Sequence, residues 1–437
     1  MIISFLLKKI AFKNRINLIK YKTKLYKEVS DREKIEQYQL ESFNKIWANI
    51  TRSNPFYKMW KDKHDLPHRI NSIEDLKNFP ILTKKDIQKN RGLIFNHLGN
   101  YETISTGGSS GEPVKFPTSK NEQNLNYANT YLARGWWGIK PLDSYLLFWG
   151  HSHLFGTGLS GRINQYKRDL KDWLINTNRL NAYDMSYKTV DKYCRELFRS
   201  NPVVIMGYTS IIHKVSRYIK EHNLDIGNKS NLKSVIVTSE VVTNYDIELI
   251  ESVFNVPCVI EYGMAETGVI AFQHNKSKNL KVFWDSFICV KNNNNNLLVS
   301  TINNRIFPLI NYQTDDIVKC DDFSSILLID EIQGREKDVL NIADKDGVII
   351  LSGILMIHIL KSYKGIYSIQ FRQLKGLRVE VRLVADSEVS LSNVKQYFLR
   401  NIRIDHADVS EDSFVFKNVN NIEKTIAGKE IWIKLKK

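Results

Sequence analysis

The sequence predicts an α/β protein: a large N-terminal domain of mostly parallel, helix-covered sheets with a small β-barrel-like part, followed by a small α+β C-terminal domain. Three observations carry this expectation. Short apolar runs alternate with helical stretches from residue 101 to about 285, the pattern of a parallel sheet covered by helices. Helical periodicity then vanishes from 286 to 333, and the character shifts again near Gly334. Domains are therefore placed at 1–333 and 334–437, and 437 residues are too many for one small domain.

Taken in order, residues 1–100 read as mostly helical and basic. Asn54-Pro55-Phe56-Tyr57 breaks one helix, since proline removes a backbone donor and suits a helix start. Ser72 and Thr83 are expected as N-caps, with Phe79-Pro-Ile-Leu-Thr83 a short connection. Buried strands are expected at Ser144-Tyr-Leu-Leu-Phe-Trp149, Val203-Val-Ile-Met206, Ser234-Val-Ile-Val-Thr238 and Cys258-Val-Ile-Glu-Tyr262. Helices are expected at Val190 to Arg199, Ile211 to Glu221 and Asn244 to Val253. The run Lys291-Asn-Asn-Asn-Asn-Asn296 reads as a hairpin turn, with further strands at Ile317-Val-Lys319 and Ile326-Leu-Leu-Ile329. A strand pair around Asp346-Gly347 opens the C-terminal part, which adds strands at 379–384 and 413–416.

Bulk properties narrow the function. The formal charge of +16 suits an anionic partner, but lysines are spread along the whole chain and no nucleic-acid motif accompanies them. No nucleic-acid partner is expected. Cys194, Cys258, Cys289 and Cys320 lack metal-ligand spacing, so free thiols in a reducing cytoplasm are the expected setting. His151 and His153 are close enough to share a metal, but no second cluster supports one. Met1 to Leu7 is apolar yet far shorter than the roughly 20 residues of a membrane span. Residues Ile2 to Lys20 can form a basic amphipathic helix, which allows peripheral membrane contact.

Five segments carry candidate chemistry. In Thr106-Gly-Gly-Ser-Ser-Gly-Glu-Pro113, the glycines free the backbone for positive φ, and N–H groups with the Thr106, Ser109 and Ser110 hydroxyls can face an anion. It lacks Walker spacing, and a Gly/Ser linker would look similar. Glu261-Tyr-Gly-Met-Ala-Glu-Thr-Gly268 follows an apolar strand, where open α/β sheets bind ligands, although an ordinary helix start would fit as well. There Tyr262 can stack on a purine and Glu266 can hold Mg²⁺ between phosphates. Asn311-Tyr-Gln-Thr-Asp-Asp316 offers a carboxylate to ribose hydroxyls, Gly334-Arg-Glu-Lys-Asp338 an arginine at a junction, and Lys424-Thr-Ile-Ala-Gly-Lys429 a lysine for developing charge. Taken singly, these three read first as an acidic turn, a solvated charge run and a surface lysine.

In this order the five segments resemble the signature set of the adenylate-forming superfamily of acyl-CoA synthetases, luciferases and adenylation domains. The phenylacetate–CoA ligase branch is most similar, especially its CapK-type members associated with capsule and polysaccharide gene clusters. That branch has a [ST]-[GS]-G-[ST]-[ST]-G-x-P loop before a short strand, as in Val114-Lys-Phe-Pro117, and a T-S-E segment, as in Thr238-Ser239-Glu240. The resemblance implies that Thr106, Gly107, Gly108, Ser109, Ser110 and Gly111 clamp the phosphates of ATP. It implies that Ser239, Glu240 and Val241 border the adenine, with Tyr262 on its face and Glu261, Gly263, Met264 and Ala265 alongside. Glu266 would bind Mg²⁺, Asp316 the ribose, and Arg335 ribose or phosphate. Lys337 would be the hinge of a mobile C-terminal domain, and Lys429, with Thr106 and Glu266, would serve adenylation. The family's Y-R-T-G-D reads Tyr312-Gln-Thr-Asp-Asp316 here, and Lys337-Asp338 stands where D-D is common.

The implied reaction turns a small carboxylic acid into an acyl-AMP and then transfers the acyl group to a thiol (CoA or a carrier), an amine or a sugar hydroxyl. The acid pocket would lie under Trp149-Gly-His-Ser-His153 and Gly207-Tyr-Thr209, with His151 and Tyr208 facing the substrate. A non-catalytic nucleotide-binding descendant, acting as an assembly factor for surface-polysaccharide enzymes, is the alternative. Intact Glu266, Asp316 and Lys429 weigh against it.

Overall fold

The structure is a computed structural model. It describes residues 13–105, 114–150, 158–182, 187–225, 231–274, 277–321, 324–335, 339–344, 347–361, 363–403, 409–424 and 430–435. The phosphate-loop candidates Thr106 to Gly111, and His151, Lys337 and Lys429, lie outside the described residues.

One sheet of eleven strands dominates. A small hairpin, β1 (Glu102–Ser105) and β2 (Lys115–Thr118), precedes it. The sheet contains β3 (Tyr145–Phe148), β4 (Thr177–Leu180), β5 (Val204–Tyr208), β6 (Ser234–Thr238), β7 (Cys258–Met264), β8 (Gly268–Gln273), β9 (Leu280–Val282), β10 (Phe287–Lys291), β11 (Asn296–Thr301), β12 (Tyr312–Cys320) and β13 (Leu328–Arg335). Their spatial order is β10-β11-β12-β13-β9-β8-β7-β6-β5-β3-β4.

The expectation of mostly parallel sheets holds for half of this array. Neighbours among β4, β3, β5, β6 and β7 are parallel, and every pairing beyond β7 is antiparallel. The segment expected as a barrel-like part is thus the antiparallel half of the same sheet. The reason is the chain after Met264: a tight turn reverses it into β8 where a crossover helix would have kept the strands parallel. The asparagine run is the expected hairpin turn, with Lys291 opposite Leu297. The strand expected at 326–329 instead spans Leu328–Arg335, because its exposed Asp330, Glu331 and Gln333 leave no apolar run to read.

Helices cover the parallel half. Tyr187–Ser200, Thr209–Glu221 and Asn244–Phe254 pack with β3, β5 and β6 through buried Val190, Ile211, Val215, Val235, Val237 and Ile250. At the N-terminus, Asn54 ends the helix Arg32–Ser53 and caps Pro55–Lys63, accepting from the Phe56 and Tyr57 amides. The helix Lys13–Glu28 is pinned by buried Lys22, which ion-pairs with buried Asp285, while the Tyr26 hydroxyl donates to the same carboxylate at 2.9 Å. Among the described residues, no helix is long and apolar enough to cross a membrane.

Past Arg335 the pairing changes. β14 (Val339–Asp344) and β15 (Gly347–Ser352) form the expected hairpin, followed by the helix Gly353–Lys361. β16 (Ile366–Gln373), β17 (Val379–Ala385), β18 (Phe414–Asn418) and β19 (Ile433–Lys434) form a separate four-stranded sheet, with the helix Leu391–Ile402 packed on it. This α+β region has its own apolar core, including Leu340, Leu360, Phe371, Val381 and Phe398.

Candidate active site

The site lies where β6 and β7 end and the chain turns into the antiparallel half. Three residues, Ala265 to Thr267, connect β7 to β8, so the expected loop after an apolar strand is a hairpin turn and not a helix start. The turn is tight because Gly263 faces Gly268. A Cβ on Gly263 would come within 2.4 Å of the Gly268 carbonyl oxygen, and Gly268 itself has φ +76°. Arg305 braces the turn from outside, donating to the carbonyls of Glu266 at 3.0 Å and Thr267 at 2.6 Å. Burial lowers the Arg305 guanidinium to about 10, although Glu122 opposes that fall.

Glu266 is buried at the tip of this turn and accepts the Tyr312 hydroxyl at 2.9 Å on Oε1. Lys84 Nζ lies 3.7 Å from the same oxygen. This leaves Oε2 without a hydrogen-bond partner among the described residues, so the carboxylate has one fixed and one available oxygen. Such an oxygen suits a hard divalent cation, and Mg²⁺ commonly takes one or two carboxylates and completes its shell with phosphate and water. No group of three His, Cys, Asp or Glu side chains converges among the described residues.

Tyr262 and Asp316 meet beside it. The Tyr262 hydroxyl donates to Asp316 Oδ2 at 2.7 Å, and Arg335 Nε lies 3.5 Å from Oδ1. β12 and β13 bring these together in register, with Asp316 and Arg335 as Cα partners. Asp315, one residue before, has φ +66°, in the left-handed region an aspartate tolerates better than most residues. Burial raises the Asp316 carboxyl above its ordinary value, although Arg335, Tyr262 and Lys84 pull it down. Burial, followed by the charge of Asp316, keeps Tyr262 well above the ordinary phenol value.

On the third side, β6 ends at Thr238 and Ser239 turns the chain with φ +65°. Glu240 then accepts the Ser210 amide at 2.8 Å, at the start of the helix Thr209–Glu221. Val241 is half-buried next to it. Tyr208, at the end of β5, is buried with its ring 4.9 Å from that of Trp149.

The sequence-predicted residues thus gather unevenly. Tyr262, Glu266, Asp316 and Arg335 converge, and Ser239 to Val241 flank them on the neighbouring strand end. Glu261 points to the other face of β7, where its carboxylate accepts from buried Arg134 at 3.1 Å, with Gly263 and Met264 continuing the strand and Ala265 exposed on the turn. Lys84, Tyr312 and Arg305 carry no role in the sequence reading. Lys84 sits in a segment legible only as a helix cap, and Thr83 does cap it, accepting from the Asp86 amide. Tyr312 belongs to the Asp316 segment, and the alternation of β12 is the one signal that places both on the site.

Comparison with solved structures identifies the fold as that of the acyl-CoA and adenylate-forming ligases. 2-Hydroxyisobutyryl-CoA ligase, in the post-adenylation state with R3-HIB-AMP, superposes with a TM-score of 0.68 at 12% identity over 91% of this chain and 89% of its own. The same enzyme, with 2-HIB-AMP and CoA in the thioesterification state, gives 0.56 at 13% identity over 93% and 91%. Acetoacetyl-CoA synthetase from Streptomyces lividans gives 0.51 at 11% identity, covering 76% of this chain and 53% of its own. By sequence, the chain is similar to Protein CapK of Staphylococcus aureus, 23% identical over 447 residues, covering 96% of this chain and 94% of that protein. No protein-family profile matches the sequence.

Proposed function

We propose that this protein activates a carboxylic acid with ATP and then transfers the acyl group to a nucleophile. The observation that carries the reading is the convergence of Glu266, Tyr262, Asp316 and Arg335 at one end of the sheet in a chain with the adenylate-forming fold. In the first step a carboxylate oxygen of the acid attacks the α-phosphorus of ATP. The bond to the bridging β-phosphate oxygen breaks, and pyrophosphate leaves. In the second step a thiol, amine or hydroxyl attacks the acyl carbon and AMP leaves.

The roles follow from chemistry. The ionised Asp316 accepts from the ribose hydroxyls, oriented by Tyr262, and Arg335 donates to ribose or phosphate. Tyr262 and the Ser239–Val241 turn border the adenine. Glu266 would hold Mg²⁺, which would supply charge neutralisation on the phosphates. The loop Thr106 to Gly111 donates to those phosphates, and Lys429 offsets the charge developing at the α-phosphate. Residues 334–437 act as a mobile domain hinged at Lys337, and the higher TM-score against the post-adenylation complex than against the thioesterification complex supports a C-terminal arrangement nearer the former. His151 and Tyr208 face the acid.

Likeness to CapK supports placing the protein in the phenylacetate–CoA ligase-like branch with a role in surface polysaccharide synthesis. The ligands named for the neighbouring 2-hydroxyisobutyryl-CoA ligase, an acyl-AMP and CoA, support CoA among the thiol acceptors. Acid-dependent exchange of pyrophosphate into ATP, screened over aryl, fatty, hydroxy and amino acids, tests the proposal. Exchange with one acid class is expected. ATP binding without exchange for any acid would leave the non-catalytic descendant standing.

A further inference from the structure

The helix Gly158–Leu174 has its polarity reversed for a helix packed on a sheet. Ile163, Tyr166, Leu170, Trp173 and Leu174 are 54%, 71%, 46%, 61% and 39% exposed. At 3.6 residues per turn they fall within about 100° of one another and form one stripe. The opposite face is polar, with Asp172 buried and its two oxygens accepting from Arg179 on β4 at 2.6 and 3.0 Å. Among the described residues, no other helix exposes more than one large apolar side chain. Exposed Arg162 and Asp169 border one side of the stripe, and exposed Lys167 and Lys171 border the other, so the rim carries a net positive charge.

We propose that this helix docks the protein on an anionic membrane surface, lying in the plane of the interface. Each feature of the stripe fits that occupant. Leucine and isoleucine enter the acyl boundary, tyrosine and tryptophan settle at headgroup level, and the flanking cations meet lipid phosphates. A second copy of the chain fits less well. A twofold contact of antiparallel helices would crowd Lys167 and Lys171 against the same pair on the other copy in a protein of net charge +16, while an anionic lipid surface satisfies the stripe and its rim together. The helix follows β3 in the chain, so docking would fix the carboxyl-end edge of the sheet, where the candidate site lies, relative to the membrane.

The experiment is flotation of the full chain with vesicles of phosphatidylcholine alone and of phosphatidylcholine mixed with phosphatidylglycerol. Binding to the mixed vesicles is expected, weakening with added salt. The double variant Leu170→Glu/Trp173→Glu should lose binding by about tenfold or more, and Lys167→Glu/Lys171→Glu should weaken it on the anionic vesicles. Unchanged thermal midpoints and unchanged pyrophosphate exchange show that the variants fold, since among the described residues none of these touches the candidate site. The proposal is overturned if the wild type ignores vesicles. It is equally overturned if the apolar double variant binds as well as wild type, which assigns the contact to the N-terminus, or if sedimentation shows a dimer that the same variant dissolves without any vesicle binding.

Discussion

Lys361 reaches both carboxylate oxygens of Asp246, at 3.2 and 3.1 Å, and so ties the first helix of the C-terminal region to a buried acid at the start of the helix Asn244–Phe254. His213 approaches the same carboxylate at 2.7 Å, and the Thr243 amide and hydroxyl donate to it. Nearby, Arg217 donates to the Ile366 carbonyl at 2.6 Å and lies over the Tyr367 ring. Burial alone would raise the Asp246 carboxyl, but Lys361 and His213 outweigh it and hold it well below the usual carboxylate range.

Two outcomes follow from that pair. Lys361→Ala leaves a buried carboxylate short of its cation and should lower stability by about 3 kcal/mol in urea unfolding. Because the folded pKa is depressed, Asp246 contributes stability in full above an unfolded value near 4 and loses it as pH falls towards the folded value. Asp246→Asn should flatten that acid limb. An acid limb identical to wild type would refute the assignment.

Glu266→Gln should reduce acid-dependent pyrophosphate exchange by about 10²- to 10³-fold and raise the Mg²⁺ concentration needed for half-maximal exchange. Tyr312→Phe keeps the carboxylate but loses its 2.9 Å donor, so a smaller fall is expected. If Tyr312→Phe were the more damaging variant, Glu266 would not be the working group.

Asp316→Asn should raise the KM for ATP by about 10- to 100-fold, the scale of hydrogen bonds to a charged group. Burial lifts this carboxyl's pKa, so the folded state favours the proton and the ionised form opposes folding at neutral pH. The asparagine variant should therefore match or exceed wild-type thermal stability near pH 7 while binding ATP worse. In the wild type, ATP affinity should fall as pH drops and Asp316 takes up its proton, beginning at a higher pH than for an aspartate of ordinary pKa. A pH-independent affinity there would exclude Asp316 from the ribose.

Lys429→Ala should depress exchange by about 10²-fold or more while equilibrium ATP binding, followed by calorimetry, stays close to wild type. Equal loss of both would point to a folding role.

Much of the fold was legible because its signals are local. The apolar run of β6 and the β14–β15 hairpin around Asp346-Gly347 lie where their sequences place them. The site was legible as segments, since Glu266, Asp316 and Arg335 each sit in a recognisable neighbourhood. Their partners were not. Lys84 meets Glu266 across 182 positions of chain, Arg305 grips a turn whose residues lie near 266, and Lys361 finds an acid 115 residues earlier. Such pairs exist only once the sheet has closed, and nothing in the spacing of a lone lysine or arginine foretells its partner. The polar strand β13 was misplaced for a related reason: half-exposed strands at a sheet interior carry no apolar run.

The chain leaves the large sheet just after Arg335, and Arg335 is the cation that faces Asp316 across β12 and β13. On the proposed reading, the fulcrum of the C-terminal lever is built into the wall that holds the ribose. Nucleotide occupancy and C-terminal orientation then draw on the same ion pair. Whatever factor the orientation imposes on nucleotide affinity, the nucleotide must return to the orientation in equal measure.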